Sequence, residues 1–247
     1  MRVQMQAVVV MSFLSVLAPV AARAQAPAAP PNPWTQTASA GLALTNGNKD
    51  TSTVNVGFEV AYDPKTRNLV KSDGLLLRGK TEGALTTDRL SLNGRDEYKL
   101  SSRSYTFAQL QYLGDQFKNI DYLLSPAAGF GVRLADTPQT RVSLDVGVGG
   151  VWEKPLNADV RQSGAITVGE KATRQLSKSA SIGQSFTALY KTNDFADALY
   201  TVGANIAASV TSRTQLKVEV LDTYKNRVVA PIQKNDVALI VGMVFKR

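Results

Sequence analysis

A period of two constrains this chain more than any other feature. In the last segment Val237, Leu239, Val241, Met243 and Phe245 fall on one face, against Asp236, Gly242 and Lys246 on the other. Earlier, Val142, Leu144, Val146, Val148 and Trp152 oppose Arg141, Ser143, Asp145, Gly147 and Glu153. Near the start, Val54, Val56, Phe58, Val60 and Tyr62 oppose Asn55, Gly57 and Glu59. A strand points successive side chains to opposite sides of a sheet, so each set occupies one face. Beyond the first residues no segment keeps a helical period for three turns. None approaches the roughly 18 consecutive apolar residues of a transmembrane helix.

The polar face decides which β architecture is expected. A soluble sandwich packs its apolar face inward and carries dense charge outside. Here the polar face is rich in Gly, Ser, Thr and isolated charges, as in Ser181, Gly183 and Ser185 beside Ile182, Phe186 and Tyr190. That pattern fits an up-and-down transmembrane β-barrel, apolar toward lipid and small or polar toward a lumen. Twelve segments are expected, near 34–46, 51–63, 68–83, 86–100, 103–115, 120–135, 140–153, 160–175, 179–191, 195–210, 213–225 and 235–246. Their length exceeds the about 5–6 residues of globular strands and covers a bilayer at a 45° tilt, which takes roughly 9–11. Asn46-Gly47-Asn48, Asp63-Pro64, Leu100-Ser101-Ser102 and Asp136-Thr137-Pro138 have turn chemistry. An even count lets the sheet close with both ends on one side, and closure is required because lipid satisfies no open edge. Ten or fourteen strands stay open, since 68–83 and 160–175 alternate poorly. Aromatic residues such as Trp34, Tyr62, Tyr98, Trp152, Tyr190, Tyr200 and Tyr224 sit near segment ends, where interfacial girdles form.

The N-terminus reads as a secretory signal. Arg2 precedes an apolar run from Ala7 to Leu17, Pro19 breaks it, and Ala22-Arg23-Ala24 fits the cleavage pattern. Residues 1–24 are therefore expected to be removed. Residues 25–33 form a flexible Pro/Ala-rich lead-in, and 34–247 form the barrel domain. The whole chain carries a net charge of +8, and the signal holds two arginines and no acid. The remaining excess is mild and unclustered, which argues against nucleic-acid binding. There is no Cys and no His. Those absences exclude disulfides, thiol nucleophiles and imidazole bases or ligands.

Certain stretches resemble a known family. TNGNKDTSTVN, from Thr45 to Asn55, is similar to the Gly-Asn-x-x-Thr opening of the YdiY-like salt-induced outer membrane proteins, a domain of unknown function. The stretch from Asp88 to Tyr112 is similar to that family's pair of strands joined at a Leu-Ser/Asp-x-Arg turn, here Leu100-Ser101-Ser102-Arg103. Asp115 to Thr137 resembles its Asp-x-Phe-x-Gly-Ile-Asp signature, with Asn119 where Gly is usual. The resemblance implies an outer-membrane barrel and implies almost nothing about chemistry. Phe245 near the end resembles the C-terminal aromatic that barrel assembly machinery reads, although Lys246 and Arg247 follow it.

Searching the residues for chemistry yields no catalytic, cofactor or metal site. Ser177-Lys178-Ser179 has the elements of a Ser-Lys dyad but reads as a polar turn. Asn46, Asn48 and Asp50 begin like a calcium loop, yet Thr51 and Gly57 replace the Gly and Glu that such a loop needs. Gly129, Gly131, Gly147, Gly149 and Gly150 lie inside strands, where close side-chain approach or sheet curvature explains them. The charges expected to line the lumen are the acids Glu59, Glu82, Asp115, Asp121, Asp145 and Glu153 and the bases Arg78, Lys80, Arg89, Arg95, Arg133, Arg141 and Lys217. They form either an ion-pair network filling the barrel or the lining of a narrow hydrated pore. The expectation is a monomeric, non-enzymatic envelope protein of the Gram-negative outer membrane, structural or stress-related. Its partners are membrane lipid and the assembly machinery. A porin-like channel and a periplasmic lipid-binding β-protein are the alternatives.

Overall fold

The computed structural model describes residues 32–45, 51–228 and 232–246. The expected signal segment, most of the lead-in and the Asn46–Asp50 turn lie outside the described residues. Twelve strands follow one another: β1 (Trp34–Thr45), β2 (Thr51–Tyr62), β3 (Asn68–Thr81), β4 (Ala84–Lys99), β5 (Ser104–Asp115), β6 (Ile120–Asp136), β7 (Thr140–Lys154), β8 (Arg161–Gln175), β9 (Ala180–Lys191), β10 (Asp194–Ser209), β11 (Thr214–Lys225) and β12 (Asn235–Lys246). Each pairs antiparallel with the next, and β1 pairs with β12 to close the barrel. The closing seam is short, running from Thr37 opposite Lys246 to Ala40 opposite Met243. Crowding there explains Gly41: a Cβ would sit 1.9 Å from the Val241 carbonyl oxygen, which also accepts from Asn55 Nδ2.

The two segments of weak alternation are full strands, so the count is twelve. In β3 the run Leu75-Leu76-Leu77 is apolar on both faces, with Leu77 only 2% exposed inside and Leu76 43% exposed outside. A register shift between Gly79 and Lys80 blurs the pattern further. In β8 the outward face carries Glu170, whose carboxylate accepts from Gln184 of β9 at 3.2 Å, so polarity appears where lipid-facing residues would be apolar.

Elsewhere the faces separate as the alternation requires. Val54, Val56, Phe58, Val146, Val148, Ile206 and Leu239 stand exposed on the outer surface as an apolar belt. Such a belt is stable against hydrocarbon and costly against water. Aromatic rings bracket it. At one rim Tyr190, Tyr200 and Tyr224 of consecutive strands contact one another at 5.7 and 6.0 Å between centroids. At the other rim Trp34 packs on Tyr62 at 4.7 Å.

The rims differ in what covers them. The rim holding the start of β1 and the end of β12, here the terminal rim, carries only short turns: 63–67, 100–103, 137–139, 176–179 and 210–213. The opposite, loop rim carries the β5–β6 connection with a 3-10 turn over Gln116–Lys118, and the connection 226–234 between β11 and β12. Asp115 caps the 3-10 turn, its Oδ1 accepting from the Phe117 and Lys118 amides at 3.1 and 3.2 Å. Asn119 then reverses the chain in the left-handed region at φ 57° and ψ 39°. That conformation is open to Gly and next best to Asn, which accounts for the Asn where the resembling family usually has Gly.

Candidate functional site: a layered lumen

Inward side chains form two layers at different depths. The first lies just inside the loop rim and is nearly solvent-free. Glu153 of β7, 3% exposed, receives ammonium groups from Lys191 at the end of β9 and Lys225 at the end of β11. Lys191 also pairs with Asp197 of β10. From the other side Arg89 of β4 donates to the Thr223 hydroxyl of β11, strands five places apart in the ring of twelve. Lys118, at the tip of the 3-10 turn, is fully buried. Its Nζ donates to the carbonyls of Gln233 and Lys234 at 3.0 and 2.8 Å and pairs with Asp236 at 2.9 Å. Leu113, Ile120, Leu123, Val151, Ala165 and Leu189 fill the wall between these contacts. Side chains from nearly opposite strands therefore meet across the lumen at this level. Buried ion pairs of this kind persist only where geometry and further hydrogen bonds offset the loss of water.

The second layer lies deeper, toward the terminal rim, and is built on β3 to β8. Arg95 is saturated. Its Nη2 meets Asp145 at 2.8 Å, its Nε meets Glu97 at 3.1 Å, and its Nη1 donates to Gln109 at 2.8 Å. The guanidinium lies 3.8 Å from the Phe107 ring centroid, a cation–π contact. Glu97 collects Lys71 at 2.7 Å and Arg133 at 3.4 Å as well. The Tyr105 hydroxyl donates to Asp145 at 3.2 Å. These side chains need bare backbone beneath them. A Cβ on Gly131 would lie 2.3 Å from Tyr105 Cζ, and one on Gly169 would lie 2.5 Å from Asp145 Oδ1. Close side-chain approach thus explains these two glycines, whereas a Cβ on Gly129 or Gly149 would meet backbone, the Val146 carbonyl oxygen at 2.1 Å or the Pro126 carbonyl oxygen at 2.0 Å.

Around the rest of this level the lining is exposed to the lumen. Glu59 of β2 stands directly opposite Asp73 of β3, and Asp73 accepts from Asn93 Nδ2 at 2.7 Å. Lys171 of β8 and Lys217 of β11 reach near enough for their charges to act on Asp73. Lys217 pairs with Glu219 of its own strand at 2.8 Å.

Of the charges expected in the lumen, Glu59, Arg89, Arg95, Asp115, Arg133, Asp145, Glu153 and Lys217 point inward and join one layer or the other. Four do not, and Arg141 lies outside both layers. Arg78 and Lys80 share the outward parity of Val70 and Leu76, and the Arg78 side chain, 61% exposed, faces Asp88 at 4.0 Å. The same leucine run that masked the alternation of β3 conceals this parity. Glu82 occupies the β3–β4 hairpin turn at φ 52°, followed by Gly83 at φ 78°. Asp121 is drawn to the loop rim by Lys154 at 2.8 Å. Arg141 keeps the inward parity of Asp145 and lines the lumen mouth at the terminal rim with Thr173, Ser181, Gly183 and Asn205, 3.9 Å from Asp136. Reasoning from sequence also missed Lys71, Asp73, Glu97, Lys118, Lys171, Lys191 and Lys225. Glu97 shares parity with Arg89 and Arg95, and Lys225 with Lys217, so alternation alone would have found them. Lys118 sits in a turn, where no periodicity points inward.

Solved structures share this architecture at low identity. The outer membrane channel from Pseudomonas putida F1 aligns with a TM-score of 0.51 and 11% identity, covering 89% of this chain and 97% of that one. The KdgM porin aligns at 0.48 and 9% identity, covering 86% and 98%. The translocator domain of the autotransporter NalP from Neisseria meningitidis aligns at 0.47 and 12%, covering 86% of each. Comparison with curated protein sequences returns no significant match. The likeness to the Pseudomonas putida channel establishes a shared barrel fold, and such a fold hosts many activities. By its match over residues 38–246, the chain belongs to the family described as "Protein of unknown function, DUF481".

Proposed function

We propose that the protein is a non-enzymatic barrel of the Gram-negative outer membrane whose lumen is held shut at the loop rim, a structural envelope component at rest. The observation that carries this reading is the nearly solvent-free layer of Arg89, Lys118, Glu153, Lys191 and Lys225, in which Arg89 reaches Thr223 and Lys118 reaches Asp236 across the barrel. In that layer Glu153, Lys191, Lys225 and Lys118 are tied in ion pairs, which fill the barrel there. The absence of His and Cys agrees with a non-enzymatic barrel. In bacterial barrels short turns face the periplasm and longer loops the exterior, which orients the closed layer outward.

Export through removal of residues 1–24 belongs to the same reading. The mature protein is expected to begin at Gln25, to float with outer-membrane lipid and to need detergent for extraction as a monomer; N-terminal sequencing of the fractionated protein checks this. In planar bilayers the folded, heat-modifiable protein is expected to be silent. Unitary conductance steps from the wild-type chain at neutral pH would overturn the closed reading.

The second reading is a narrow channel that conducts once the layer moves. It is favoured by the exposed charged lining beneath the layer and by Arg89 Nε, buried without a hydrogen-bond partner among the described residues. A buried donor left unmade costs about 1–3 kcal/mol, so that layer is not held in an ideal minimum.

A further inference from the structure

Glu59 and Asp73 present an anomaly. Like charges directly opposite on neighbouring strands destabilise a sheet, and these two carboxylates face each other across the β2–β3 ladder. Neither is neutralised by an ion pair among the described residues; the Lys71 beside them is committed to Glu97. Lys171 points into the same space from β8, five strands around the ring from β3, and enters no ion pair or hydrogen bond among the described residues. On β8 it shares a ladder row with the inward-facing Ser143 and Ser185, and its charge acts across the lumen on Asp73. The lining between them is slight: Ser39, Gly57, Ser185, Gly203 and Gly242 all share the inward parity. Glu59, Asp73 and Lys171 are exposed, and the terminal rim on their side carries only turns of three to five residues.

An acidic wall and a basic wall that face each other without touching create a field across the lumen, strengthened by low-dielectric surroundings. A monopolar ion satisfies one wall and is repelled by the other. A small solute with a cationic and an anionic group at its two ends satisfies both. We propose that this level of the lumen is a binding site for small linear zwitterions, entered from the terminal rim, with the ammonium end at Glu59 and Asp73 and the carboxylate end at Lys171. Lys217 shares its charge with Glu219 and tunes the basic wall. The site sits below the closed layer and operates whether or not the barrel conducts, so its test and the conductance test fail independently.

The test uses the full folded protein in detergent and isothermal titration with 6-aminohexanoate, against hexanoate and hexylammonium of the same length. The zwitterion is expected to bind about tenfold or more tightly than either monopole, a difference of about 1.4 kcal/mol. Both the double variant Glu59→Gln with Asp73→Asn and the single variant Lys171→Met are expected to lose that preference. Lys154→Gln, at the exposed loop rim beside Asp121, is expected to keep it. Raising salt is expected to weaken binding, since the contacts are hydrated. No heat with 6-aminohexanoate, or equal binding of hexanoate, overturns the proposal. Heat-modifiable migration checks the fold of each variant, and the three-ligand comparison on the wild-type chain decides the matter should a variant not fold.

Discussion

At the residue scale, the lumen concentrates its energetics in few side chains. Among the described residues Glu153 is the one carboxylate shared by the buried ammonium groups of Lys191 and Lys225. Glu153→Gln strips Lys225 of its counter-charge in a nearly dry layer and leaves Lys191 only Asp197, and the expected loss is about 3–5 kcal/mol of folding free energy, read from urea unfolding in lipid vesicles. Replacement of an exposed rim pair such as Lys154 and Asp121 is expected to change little by the same measurement. Gly131 supplies a second case. An added methyl meets the Tyr105 ring, which is held by Asp145, so Gly131→Ala is expected to cost about 1–3 kcal/mol. Tyr105→Leu in the same background is expected to relieve part of that cost. Strict additivity in the double-mutant cycle would show that the ring is not the obstacle.

At the element scale, each strand is two half-surfaces facing different solvents. On β7, Val146 points to lipid and Asp145 to the lumen, one residue apart. Val146→Arg is expected to destabilise the barrel by about 2–4 kcal/mol in vesicles, while Thr187→Arg, exposed on the lumen side of β9, is expected to be nearly neutral. Equal effects would mean that the faces are misassigned. The strand boundaries were legible because period two and turn residues such as Asp63-Pro64 are local properties. Parity failed where both faces are apolar, at Leu75-Leu76-Leu77, and where a turn takes over, at Glu82. A slip of one residue exchanges inside for outside, so Arg78 and Lys80 were placed on the wrong face although their strand was correctly found.

At the scale of the whole molecule, closure brings distant chain segments into one layer. Lys118 meets Gln233 and Asp236, and Arg89 meets Thr223, at separations of more than a hundred residues. Lys118→Ala combined with Arg89→Ala removes both arms, and conductance steps absent from the wild-type chain are expected in planar bilayers. A silent double variant would show that the apolar cluster around Ile120 closes the lumen unaided. The sequence by itself determined a long-stranded, lipid-facing barrel of about twelve strands without imidazole or thiol chemistry, because alternation, turn residues and composition are properties of adjacent positions. Which charges meet across the lumen, and that Glu59 stands opposite Asp73, were decided only by the tertiary structure. Those facts depend on the ring order and tilt of twelve strands, and one strand's pattern carries no record of what stands on the opposite wall.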